Sequence, residues 1–186
     1  NALKRSGQVA RDAKPEKLVG LSDITTAYVR KLHALSCLIE QADDREEWMQ
    51  ALARWHGLCR SARTRLASGE APSRTDEYLL YQTLLGTLPV GGLDADTAPG
   101  FSDRMWQYMQ KAAREAKLRT RWSQPDADYE AGLEGFVRAL LADPATNGCL
   151  ADIQRLADTL AWFGAWNGLT LTLLKYGSPG VPDLYQ

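Results

Sequence analysis

The side chains with the most chemical potential in this chain are two histidines, three cysteines and a few dense clusters of charge. His33 and Cys37 stand four residues apart, a spacing that puts both on one helix face where they could hold a single metal ion. A zinc site takes three or four protein ligands, and no further partner stands at a suitable spacing, so the pair reads as core or surface. His56, beside Trp55, reads the same way. The stretch LDADTAPG, with Asp94 and Asp96, resembles the start of a calcium loop but lacks the later oxygen ligands and the closing Glu. It reads as a solvated loop, and neither a metal nor a cofactor is expected.

Covalent catalysis finds equally little. There is no Gly-x-Ser-x-Gly elbow, no catalytic-cysteine context and no glycine loop leading to a phosphate-binding lysine. Carboxylate pairs could meet in space, but 23 acidic residues give spacing no power to choose among them. Asp43, Asp44, Glu46 and Glu47 crowd a predicted helix start, and Lys111, Arg114, Lys117 and Arg119 crowd a predicted helix end. The helix dipole favours both placements without any function.

Composition narrows the class. The 186 residues are 45% hydrophobic with a formal net charge of −1, enough for one good core or two small ones and too neutral to hold a nucleic-acid backbone. Cys37, Cys59 and Cys149 are an odd, scattered set that fits free thiols in a reducing cytoplasm. No apolar run of about 18 residues is present to span a bilayer, so neither nucleic acid nor membrane is an expected partner. Asn1 and Ala2 resemble the remnant of a cleaved expression tag and are set aside.

The elements that would position these side chains are helical. Ile24, Tyr28, Leu32, Leu35 and Ile39 form one stripe over 24–41, with Asp23 as cap; Trp48, Leu52, Trp55, Cys59, Ala62 and Leu66 form another over 45–67, with Gly69 as stop. These two helices are expected to pack together. After the turn-rich SGEAPSR, Ser73 or Thr75 caps a helix that ends near Pro89. Ser102 caps the next, and two more follow over 127–142 and about 148–176, the last with a break near Asn167 and Gly168. The expected fold is all-α, an irregular bundle of about six helices. It divides into helical subdomains at 3–89 and 101–178, a loop at 90–100 and a short extended segment at 179–186. In that segment, PGVPDLYQ, two prolines forbid helix while Val181, Leu184 and Tyr185 read as the opening of a buried strand that needs a neighbour.

Four patches in one order, EYLLYQTLLGTLP at 77–89, YMQKAAREAK at 108–117, RTRWSQPDADYE at 119–130 and PGVPDLYQ at 179–186, resemble the C-terminal half of the maltooligosyl trehalose synthases of the α-amylase superfamily. REEWMQALARWHGLCRSAR at 45–63 resembles the preceding helix of that family. The chain departs from the family pattern at Leu88, where Trp is usual, at Arg121, where Ser is usual, and in NGLTL from Asn167.

The resemblance implies a cytosolic enzyme that converts the reducing-end α-1,4 bond of a maltooligosaccharide to an α,α-1,1 bond. The carboxylates would sit on a (β/α)₈ barrel of about 250 residues that this chain does not contain. PGVPDLYQ would be that barrel's eighth strand and the helices an insertion before it. LKRSGQ at 3–8 resembles the end of the family's third catalytic motif, with Asn1 and Ala2 in place of its His and Asp. In that register Lys4 corresponds to a lysine near the reducing-end sugar. A second register sets VRKLHALS at 29–36 on a later family segment, and in neither does the chain hold the catalytic aspartate.

Trp122 is the preferred sugar-stacking residue, beside Pro125 in an expected loop; Lys111, Arg114, Glu115, Lys117 and Tyr129 lie in the same family-like patches. The chain alone is expected to be inactive, its partners being the maltooligosaccharide and the missing barrel of the same protein. The alternative is a stand-alone helical interaction module without enzymatic activity.

Overall fold

The computed structural model describes residues 42–142 and 148–177, an all-α arrangement with one small hairpin. The expected helix over 24–41, His33, Cys37, Lys4 and the terminal segment 179–186 lie outside the described residues. Five helices are seen among those described: α1 (Ala42–Leu58), α2 (Arg74–Thr87), α3 (Ala98–Ala116), α4 (Ala127–Leu141) and α5 (Gly148–Gly177).

Of the stripe its spacing predicts, helix α1 buries Trp48 and Trp55, and Cys59 continues it one residue past the helix end; Leu52 is only half-buried, and Ala51, outside that stripe, is buried in its place. Trp55 is fully covered and meets Trp48 and Tyr81 edge to face, with ring centroids 5.7 and 5.4 Å away. Such contacts add about 0.5–1.5 kcal/mol to the burial of each aromatic pair.

The expectation that this helix runs to residue 67 is corrected. It stops at Leu58, makes a single 3₁₀ turn at Arg60–Ala62, and turns into an antiparallel hairpin of β1 (Thr64–Leu66) and β2 (Gly69–Ala71). Gly69 sits at φ 131°, a backbone that L side chains rarely adopt, so it shapes the hairpin where a helix stop was expected. The hairpin lies on α4 at Gly132, where an added Cβ would stand 2.7 Å from the Ala71 Cβ and 3.2 Å from that of Thr64. Helix length here is set by a contact more than 60 residues along the chain.

Helices α2 and α4 start as their sequences predict. The Ser73 hydroxyl accepts from the Asp76 N–H, and the Asp126 carboxylate accepts from the Tyr129 N–H. Ser102 does not cap α3, because the helix begins at Ala98 and leaves Ser102 buried within it. The start is built instead by Asp94, whose Oδ1 accepts from the N–H groups of Asp96 and Thr97, with Pro99 in the first turn, where no helical N–H is required.

The break expected at Asn167 and Gly168 is absent. α5 runs unbroken from Gly148 to Gly177, since glycine weakens a helix by about 1 kcal/mol without obstructing its hydrogen bonds.

Helix α4 stands at the centre, touching α3, α5, the 3₁₀ turn and both strands, while α2 packs on α5 and α3. One contiguous core joins elements on both sides of the 90–100 loop, with Leu80, Leu84, Met109, Leu133, Phe136, Ile153 and Leu160 buried together.

Candidate functional site

The corner where α3 ends, the chain turns and α4 begins carries Trp122, the preferred sugar-stacking residue. A tight reversal brings Arg121 and Gln124 into an antiparallel bridge, with the Gln124 N–H donating to the Arg121 carbonyl at 3.1 Å. Trp122 therefore sits at the tip of a turn and is 57% exposed. One face of its indole is covered by the Arg114 guanidinium, whose Cζ lies 4.9 Å from the ring centroid. A cation held over an indole is drawn to the negative π face, and the pair stiffens both side chains.

Arg114 is itself held from below. Its Nε donates to Glu130 Oε1 at 2.8 Å and its Nη2 to Oε2 at 2.6 Å, a two-pronged pairing that fixes the guanidinium plane. The Glu130 carboxylate also accepts from the Thr120 hydroxyl at 2.6 Å and from the Gln110 amide at 3.1 Å. Arg114 foremost, with Thr120 and Gln110, holds the Glu130 carboxyl at about 2, against the opposing effect of burial. The Thr120 hydroxyl in turn accepts from the Asp126 N–H at 3.0 Å, tying the turn to the cap of α4. The result is an exposed aromatic plate on a buried ionic footing.

The other residues of the family-like patches take different places. Tyr129 faces the core: its hydroxyl accepts from the Ser73 N–H at 2.9 Å and donates to Asp76, and burial pushes it up to about 12. Lys111 and Glu115 form an exposed ion pair 3.8 Å apart. Lys117 ends α3 in the left-handed conformation, φ 59°, and Arg119 donates to the Ser68 carbonyl of the hairpin at 3.1 Å.

His56 belongs to a network that sequence spacing did not reveal. Its Nδ1 lies 2.8 Å from Glu77 Oε2, and Glu77 Oε1 accepts from the Tyr81 hydroxyl at 2.7 Å and from Arg63 at 3.1 Å. Arg63 also contacts His56, so the network ties α1, the residue after the 3₁₀ turn and α2. Its members stand 7, 14 and 21 residues apart but lie on three different elements, so the stripe of no single helix joins them. Asp94 is engaged by Thr97 and Asp96, which hold its carboxyl below the usual range, with the Thr97 side chain contributing most. Among the described residues no group of three or more His, Cys, Asp or Glu side chains is placed to hold a metal.

A groove of about 430 Å³ lies between the Gly91–Leu93 loop and the first turns of α5. Its polar side chains are already engaged: Gln154 donates to the Pro89 carbonyl and to Asp158, Asp158 accepts from the Gly91 N–H, and Arg155 pairs with Asp152. Such a groove is a joint between loop and helix.

Helix α5 presents a second surface. Its first half buries Leu150, Ile153, Ala157 and Leu160, whereas Trp162, Phe163, Trp166, Leu169, Leu173, Leu174 and Tyr176 are all largely exposed. No helix among the described residues is long and apolar enough to cross a membrane.

Comparison with solved structures decides what this architecture is similar to. A maltooligosyl trehalose synthase matches over 86% of this chain at 27% identity with a TM-score of 0.65, and one from Sulfolobus tokodaii, described as hypothetical, over 80% at 26% and 0.61. The chain is related to the maltooligosyl trehalose synthases. A glycosyltrehalose synthase gives 27% identity and a TM-score of 0.63. Putative maltooligosyl trehalose synthases of two Mycobacterium tuberculosis strains, CDC 1551 / Oshkosh and H37Rv, are 29% identical to it over 123 residues. No family model matches. The chain spans 15% of the length of those mycobacterial relatives and 18–19% of the solved chains, so what it shares with the maltooligosyl trehalose synthases is a helical portion of them.

Proposed function

We propose that this chain is a non-catalytic helical part of a maltooligosyl trehalose synthase, the enzyme that rearranges the reducing-end α-1,4 bond of a maltooligosaccharide into an α,α-1,1 bond. The uncovered half of α5 carries this reading. Seven large apolar side chains in a row of turns exceed what an isolated surface leaves in water, and the relatives are more than five times longer than the part matched here. The partner for that face is the remainder of the same polypeptide, the (β/α)₈ barrel the family resemblance implies, acting in the cytoplasm.

Trp122 contributes a sugar-stacking plate at the edge of the substrate cleft. The C–H groups of a pyranose ring pack on the face of an indole, and Arg114 on its ionic footing keeps that indole upright. Lys4 is assigned to the reducing-end sugar site on the resemblance alone.

The test incubates this chain and the full-length enzyme in parallel with maltopentaose and measures loss of reducing ends. The chain alone is expected to give none and the full-length enzyme to give turnover. Trp122→Ala in the full-length enzyme is expected to lower kcat/KM about tenfold, the size of one lost contact of about 1.4 kcal/mol. Turnover by the isolated chain would overturn the non-catalytic assignment, and an unchanged kcat/KM would remove Trp122 from the cleft.

A further inference from the structure

Cys59 and Cys149 are 90 residues apart in sequence, yet their sulfurs lie 2.9 Å apart in the core. Cys59 closes the last turn of α1, its N–H donating to the Trp55 carbonyl at 2.9 Å; Cys149 lies in the first turn of α5. Both are buried, with 6% and 4% of their surface exposed, and neither is bonded to another cysteine. A disulfide has sulfurs about 2.05 Å apart, so less than 1 Å of approach separates this pair from bonding distance. The contact with Cys149, and after it one from Tyr81, favours a thiolate at Cys59, while burial and the Glu77 carboxylate oppose it and Arg63 adds the smallest favourable contribution.

We propose that Cys59 and Cys149 form a redox-convertible dithiol that closes to an intramolecular disulfide when the protein meets hydrogen peroxide. The Cys59 thiolate attacks one peroxide oxygen, giving a sulfenic acid and releasing the other oxygen as water once it takes up a proton. The Cys149 sulfur then attacks the sulfenic sulfur, the S–S bond forms and the hydroxyl departs as a second water. Two thiols and one peroxide become one disulfide and two waters. The direction of the two thiols' acidities fits these roles. The contact between the two sulfurs lowers Cys59, in keeping with its role as the attacking group, and the same contact together with burial raises Cys149. The bond would tether the end of α1 to the start of α5 across the shared core.

The experiment uses the chain carrying Cys37→Ser, which leaves only these two thiols. Under mild peroxide, tryptic peptides 55–60 and 139–155 should be found joined, and dithiothreitol should part them. Crosslinking should be at least tenfold faster in the folded chain than in denaturing urea, because only the fold brings the sulfurs together. Oxidised protein should melt about 5–15 °C above the reduced form, as expected for a crosslink closing a long loop. Cys149→Ala should abolish that rise while keeping a helical circular dichroism spectrum. If that variant does not fold, the peptide map and the folded-to-denatured rate ratio decide the matter without it. Thiols that remain separately alkylatable after peroxide, or a crosslink that forms faster in urea, would overturn the proposal.

Discussion

Replacing Glu130 by Gln tests the footing of the Trp122 corner, because the two side chains have the same shape and differ in charge and in one donor. Glu130 accepts from Arg114 twice, from Thr120 and from Gln110, and only 7% of its surface is exposed, so solvent screens little of this interaction. Its carboxyl is held at about 2, against an ordinary value of about 4.3, a gap worth about 3 kcal/mol at neutral pH. The substitution also turns an amide NH₂ toward donors that need an acceptor, so a loss of about 2–3 kcal/mol is expected at pH 7. The folded carboxyl is more acidic than the unfolded one. Its contribution is therefore complete above the ordinary carboxylate range and disappears as pH falls toward the folded value.

Urea unfolding of the parent chain and of E130Q, from pH 7 down to pH 2.5, reads the difference directly. The gap in unfolding free energy should hold from pH 7 to about 5 and shrink to less than about 1 kcal/mol near pH 2.5. Taking differences removes the other acids, which titrate in both proteins. Two parallel curves with a constant gap would show that the substitution acts through packing alone, and no gap at pH 7 would show that Arg114 gains nothing from the charge.

Gly132→Ala should lower stability by about 1–2 kcal/mol, since overpacking outweighs the gain of about 1 kcal/mol in helix propensity. Thermal melts check this, and Ala71→Gly in the same chain should recover part of the loss, because the clash is with the Ala71 Cβ. Lys117→Gly should raise stability by about 0.5–1 kcal/mol. It removes a left-handed conformation from a side-chain-bearing residue at the end of α3, and a melting temperature up by about 1–4 °C is the expected reading.

What the sequence made legible follows the range of the interactions. The starts of α2 and α4 could be read because Ser73 and Asp126 each hold an N–H three residues on. The buried stripe of α1 could be read because it repeats within one helix. The end of α1 could not, since Leu66 continues the Cys59 stripe seven residues on, and the hairpin that replaces the helix is settled by Gly132 on another element. Ser102 satisfied the local rule for a cap, but Asp94 and Thr97 had already started the helix four residues earlier. The corner shows the same division. Trp122 in a turn was foreseeable from Pro125 and the end of the apolar period, whereas the carboxylate beneath it pairs with groups 10, 16 and 20 residues away. Nothing in one dimension pairs Cys59 with Cys149.

Helix α5 shows why an apolar count cannot substitute for a surface. Its buried line runs Ile153, Ala157, Leu160, Gly164 and Gly168, steps of three and four that keep one face inward along most of its length. The residues beside the two glycines are large. Trp162 and Trp166 stack edge to face at 5.8 Å, and both are more than half exposed. A helix meant for water alternates such a face with charge, but between residues 159 and 174 no charged side chain occurs. The local sequence therefore satisfies the helix while leaving its burial unfinished. On the reading proposed above, the surface that covers this face belongs to another part of the same folded protein, and its docking then carries no translational entropy cost of association.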